Sequence, residues 1–167
     1  DSKMETALTI FDTRLATLSH LLEKATTHFD DEAFMQLSLV EDMFAFNKQI
    51  GICCNLPQQF CQWLAGDEVT SIDMDVADVA AAKELIADTR AKLAAAKSAL
   101  SNVPEQKHLE LGPENYAELP ANEYVDDFLL PNFYFHLATA YNLLRANGVE
   151  IGKADFLTHL LGRVKSK

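Results

Sequence analysis

Apolar residues return every three or four positions along most of this chain, first at Leu8, Phe11, Leu15, Leu18, Leu22, Ala25 and Phe29. At about 100° per residue this spacing places all seven on one side of a helix, so a long amphipathic helix is predicted there. A second stripe runs through Leu39, Met43, Phe46, Ile50, Cys53, Phe60 and Leu64, with Pro57 where the pattern calls for an apolar residue. Proline lacks a backbone donor and crowds the carbonyl four residues back, so a kink or break is expected at Pro57. The third stripe, Val79, Ala82, Ile86, Thr89, Leu93, Ala96 and Leu100, lies in a stretch rich in Ala, Lys and Glu, which are good helix formers. A fourth occupies residues 130–148, where Leu130, Phe133, Leu137, Ala140 and Leu144 share a face.

Four such stripes bury their seams by packing side by side, which predicts an all-α fold, an antiparallel four-helix bundle in a single domain over residues 1–167. The segments between them carry breakers and capping residues: FDDE before Ala33, AGDEVTSIDMD before Val76 and SNVPEQ after Leu100. Asp73 or Asp75 is expected to cap the third helix and Asn122 the fourth. The third connection, residues 101–121, is long for a bundle turn, and KHLEL and NYAEL around Gly112 and Pro113 suggest a short hairpin crossing the bundle end. Pro131 falls inside the fourth helix and frees the carbonyl of Asp127, predicting a kink about one turn before His136. Gly148 suits a left-handed helix terminus, residues 149–157 are expected to fold back on the bundle, and Lys165 to Lys167 read as a frayed basic tail.

Charge narrows the function classes. With 25 acidic against 14 basic residues, the net charge of −11 repels phosphate backbones and anionic lipid, so neither nucleic acid nor a membrane surface is an expected partner. The longest apolar run, residues 128–141, is interrupted by Pro131, Asn132 and His136 and is too short to span a bilayer, so a soluble, cytoplasmic protein is expected. Cys53, Cys54 and Cys61 lie in one helical segment at spacings that suit neither a local disulfide nor a CxxC metal site, and read as small buried residues in a reducing compartment.

The best candidate for chemistry is His136, at the edge of the fourth stripe with Asn132 one turn before it. Of the polar groups offered by the second helix, Glu41, Asp42, Asn47 and Gln49, the residues Asp42 and Asn47 flank its apolar stripe. A small polar crevice between the second and fourth helices is therefore expected, floored by Asp42, Asn132 and His136 and lined by Met43, Asn47, Phe133 and Tyr141. It would take a small-molecule ligand, with His136 as base in a transfer or hydrolysis. A metal needs ligands converging from facing helices, and no HxxxH or HExxH spacing is present. A weak nitrogen and oxygen site around His136 could still take up a divalent metal such as Zn or Ni. The GxSxG, Walker and GxGxxG patterns are missing, and six glycines leave little room for a phosphate cradle.

The residues DMF at 42–44, LPNFYFH at 130–136, TAYNLLR at 139–145 and NGVEIGKADFL at 147–157 give the chain a family likeness. It resembles an uncharacterised bacterial branch of the DinB/YfiT-like metalloenzyme superfamily. The resemblance spans almost the whole chain and implies an up-down-down-up four-helix bundle, often a homodimer. Better-known members bind a divalent metal through three histidines, one from the second helix and two, spaced i and i+4, from the fourth, and some act as thiol-dependent transferases or hydrolases. Only His136 of this chain matches such a position; Asn132 or Ala140 stands where its partner would be, and the second helix has no histidine. The competing expectation is a non-catalytic homodimer, its ancestral metal site lost, in which the same polar groups only fix helix register.

Overall fold

The computed structural model describes residues 2–167. The chain is mostly helical: α1 (Ser2–His28), α2 (Phe46–Leu64), α3 (Val79–Ala95), a hairpin of β1 (Gln106–Glu110) and β2 (Tyr116–Pro120), then α4 (Ala121–Glu123), α5 (Leu130–Ala146) and α6 (Lys153–Phe156). Short 3-10 turns at Ala33–Gln36, Ala96–Asn102 and Thr158–Arg163 fill the connections. No helix among the described residues is long and apolar enough to cross a membrane.

The first stripe behaves as its spacing predicts: Leu8, Phe11, Leu15, Leu18, Leu22 and Ala25 are all buried. Phe11 stands where three helices meet, its ring 5.7 Å from Phe60 of α2 and 5.0 Å from Phe133 of α5. Helix directions follow from which residues pair. Lys3 bonds Asp126 while Phe11 meets Phe133, so α1 and the last long helix run the same way. Asp12 with Arg90 and Glu23 with Lys83 set α3 against α1.

The connection between α2 and α3 explains how those two helices come to be parallel. After Gly66 turns the chain at φ +75°, residues 67–78 run back along α2 as a strap. Asn47 Nδ2 donates to the Val76 carbonyl (3.0 Å), the Ile72 N–H donates to Asn55 Oδ1 (3.0 Å), and the Thr70 N–H donates to Gln62 Oε1 (2.9 Å). Midway, Gly51 touches the strap so closely that a Cβ there would sit 2.2 Å from the Met74 carbonyl oxygen. The strap therefore delivers α3 beside the start of α2. Further along, Gln58 Nε2 donates to Thr89 Oγ1 (2.9 Å), keeping the two helices in step.

Several local expectations are corrected. The second helix begins at Phe46 instead of continuing the stripe from Leu39: residues 37–45 form a loop closed by the Phe46 N–H on the Leu37 carbonyl (2.8 Å), and Leu39 is exposed. α2 runs without a break through Pro57. The cap of α3 is Asp78, which accepts from the Ala81 N–H (2.8 Å), while Glu32 accepts from the Val79 N–H (2.7 Å); neither Asp73 nor Asp75 is used. Pro120, not Asn122, occupies the position before α4. The predicted hairpin is present, pairing Gln106 with Pro120 through to Glu110 with Tyr116. Trp63 Nε1 donates to the Gln106 carbonyl (3.0 Å) and fastens the hairpin over the end of α2.

Pro131 does not break its helix. The preceding residues, Tyr124–Leu129, form a π turn, and the Leu130 N–H donates five residues back to Val125. Widening the helix by one residue moves the carbonyls that the proline ring would otherwise strike. Gly148 has the predicted left-handed backbone (φ +92°), and α6 folds back on α1.

Candidate functional site

His136 is half-buried on the face of α5 that looks toward α2, and its ring Nδ1 lies 2.6 Å from Gln49 Oε1. Gln49 is buried, and its Nε2 donates to the Phe44 carbonyl at 3.0 Å. A carbonyl can only accept, so Phe44 fixes the amide with its NH2 outward to the loop and its oxygen toward the histidine. Nδ1 must then carry the hydrogen and donate. The relay runs His136 to Gln49 to Phe44, and in the neutral ring Nε2 keeps its lone pair. Burial holds the imidazole pKa below its ordinary value, which favours that neutral form.

The structure does not assemble the crevice expected from the sequence. Asp42 lies in an exposed turn before α2, and among the described residues no hydrogen bond joins it or Asn132 to His136. Asn132 is half-buried one turn before His136 on α5. Asn47 is committed to the Val76 carbonyl, Phe133 is packed in the core against Phe11, and Met43 is half-buried in the loop. Tyr141 belongs elsewhere: its ring meets Phe156 at 5.9 Å, and it helps line a groove of about 340 Å³ beside α6. The larger groove, about 500 Å³, lies between α1, α3 and the C-terminal segment.

Gln49 is the partner that the sequence reading passed over in favour of charged Asp42. Its signal was weak: at 100° per residue position 49 lies at the margin of the stripe, about 60° from Phe46, and Asp42 would hold a similar phase had the helix begun before it. The His20–Asp155 pair across α1 and α6, 2.7 Å apart, had no such signal, since the two are brought together only by the chain folding back.

The donor set does not fit the three-histidine metal of the resembling superfamily. α2 presents an amide at Gln49, α5 offers no second histidine a turn away, and among the described residues no three His, Cys, Asp or Glu side chains are placed to hold a metal ion. Cys53 and Cys54 are buried, and burial pushes the Cys54 thiol up to about 12 and Cys53 well above its ordinary range. Neither is an activated nucleophile.

Comparison with known proteins agrees with this architecture. The sequence profile of a domain of unknown function, DUF1993, matches residues 4–157. The chain belongs to the DUF1993 family. This DUF1993 chain is also similar to a DinB family member protein from Shewanella denitrificans, whose crystal structure aligns with a TM-score of 0.76 at 26% identity, covering 90% of this chain and 88% of that one. The DinB-like character expected from the residues is thus shown in sequence and in structure. No functionally curated protein matches the DUF1993 chain.

Proposed function

We propose that this DUF1993 protein is an up-down-down-up four-helix bundle of DinB type that acts without a bound metal, associates as a homodimer, and uses His136 to hold α2 and α5 in register. The observation that carries the reading is the closed relay from His136 through Gln49 to the Phe44 carbonyl. Both ends of the Gln49 amide are used inside the chain, as expected for a polar tie and not for a group awaiting substrate. The pairings that run α1 with α5 and α2 with α3 support the bundle topology. Exposed Leu39, Val40 and Phe44 on the loop entering α2, together with Phe135 next to His136, support self-association. A cytoplasmic location goes with this reading, supported by three unpaired thiols.

The test is metal analysis of untagged protein together with His136→Gln and His136→Ala. The reading expects well below one equivalent of Zn, Ni or Fe per chain, unchanged by either substitution, and light scattering near twice 18.6 kDa. About one equivalent of metal, lost in His136→Ala, would overturn it. A second reading has one specific observation in its favour: a neutral ring whose Nε2 is free to accept a proton suits a general base in a small-molecule transfer or hydrolysis. Turnover of ester or thiol substrates that disappears in His136→Gln would select it, with Asp42 and Asn132 then tested as its helpers.

A further inference from the structure

The solvent side of α5 is unlike that of the other long helices. Residues 128–144 hold no Asp, Glu, Lys or Arg, whereas α1 exposes Glu5, Glu23 and Lys24 and α3 exposes Lys83, Glu84 and Asp88. At 100° per residue Pro131, Phe135, Ala138 and Asn142 fall within an arc of about 60°, on the side of α5 away from buried Phe133, Leu137, Ala140 and Leu144. Pro131, Phe135 and Asn142 are exposed and Ala138 is half-buried. Four turns of uncharged, partly aromatic surface are what an interface core needs and what an ordinary solvated face lacks.

This face carries both a knob and a hole. Phe135 leaves 56% of its surface in solvent. One turn further on, Ala138, Tyr141, Asn142, Lys153 and Phe156 line a groove of about 340 Å³ between α5 and α6. A cavity of about 150 Å³ already takes a benzene ring, so a phenyl side chain fits this groove with room. Phe135 is not one of the groove's own walls. A knob and a hole offset along one helix face are self-complementary, which is the requirement of a contact between two identical surfaces about a two-fold axis.

The charges at the ends of the face match the same arrangement. Asp127, about one turn before Pro131, and Arg145, at the far end of α5, are both exposed, and neither forms an ion pair among the described residues. Asp127 stands eight positions before Phe135, and Arg145 stands seven after Ala138. At 1.5 Å per residue these spans are about 12 and 10 Å. Two antiparallel copies of α5 that seat Phe135 of each beside Ala138 of the other therefore bring Asp127 of each opposite Arg145 of the other. We infer that the chain pairs with a second copy of itself through this face, α5 against α5 and antiparallel, with two buried phenylalanines at its centre and an acid–arginine pair at each end. The inference rests on the homodimer proposed above and commits its contact to α5; the loop at Leu39 and Val40 is the rival face.

Light scattering and sedimentation of the full chain at about 100 μM test it. The parent is expected near twice 18.6 kDa. Phe135→Ala should weaken the dimer at least about tenfold, and Val40→Asp should leave it intact. Asp127→Arg and Arg145→Asp should each weaken it about tenfold by setting like charges opposite one another, and the double variant should recover to within about threefold of the parent. This recovery is not expected of variants that merely fold badly, and it stands in for Phe135→Ala should that protein not fold. A monomeric parent would overturn the homodimer and this contact together. A dimer that persists unchanged in folded Phe135→Ala, that Val40→Asp breaks, or that the double charge exchange fails to restore would overturn the α5 contact alone.

Discussion

Gly51→Ala tests whether the strap is a structural part of the fold or only a covering loop. In an ordinary helix interior this change stabilises by up to about 1 kcal/mol, because alanine loses less backbone entropy. Here the new methyl would meet the Met74 carbonyl oxygen at 2.2 Å, with Met74 Cα and C at 2.7 and 2.8 Å. All three are backbone atoms, so no side chain can swing aside, and the strap must lift by about 1 Å to restore ordinary contact distance. Lifting strains the Asn47–Val76 and Asn55–Ile72 hydrogen bonds, which flank Gly51 one turn away on either side. Losing both costs about 2 kcal/mol, and forcing in a methyl costs about 1–3 kcal/mol more. Set against the helix gain, the net loss is about 2–4 kcal/mol, a drop of roughly 5–15 °C in Tm for a chain of this size. Urea unfolding with an unchanged m-value measures it, and hydrogen exchange at the Ile72 amide should accelerate. A Gly51→Ala protein as stable as the parent, or more so, would refute the reasoning.

Three further outcomes are expected. Phe133→Ala removes a fully buried ring edge-on to Phe11 and should cost about 3–5 kcal/mol in chemical denaturation. In native protein a thiol reagent should leave Cys53 and Cys54 untouched and modify Cys61 slowly, since burial raises that thiol to about 11; all three should react in denaturant. The third concerns pH: because burial depresses the folded pKa of His136, the unfolded chain takes up a proton first as pH falls below about 6.5. Stability from this group is therefore complete at neutral pH and declines on acidification, and His136→Gln should flatten the difference in stability between pH 7 and pH 5.

What could be read from the sequence divides along physical lines. α1 was legible because one uninterrupted stripe faces one core, and the hairpin because alternation and a Gly-Pro turn are local signals. The start of α2 was not, because Leu39 and Met43 keep the spacing while the loop they occupy is set by tertiary packing. Phe34 stacks on Phe29 at 5.1 Å and meets Phe46 at 5.8 Å, which holds the chain in its 3-10 turn. The same limit applies to the caps: Glu32 reaches Val79 from 47 positions away, beyond any local rule. At the site, His136 was visible as a polar residue at the margin of a stripe. Its partner was missed because Asp42 and Gln49 share nearly the same helical phase, and only the start of α2 at Phe46 leaves Asp42 in the loop and Gln49 on the helix.

The π turn at Tyr124–Leu129 has a consequence for anyone tracing relatives of this chain. One surplus residue rotates everything downstream by about 100° relative to what precedes it. A homologue lacking the proline at 131 would be free to delete that residue, and its inward face would then correspond to this one only after a single-position gap near 124–129. Ungapped superposition of two such sequences would assign His136 to the wrong side of its helix.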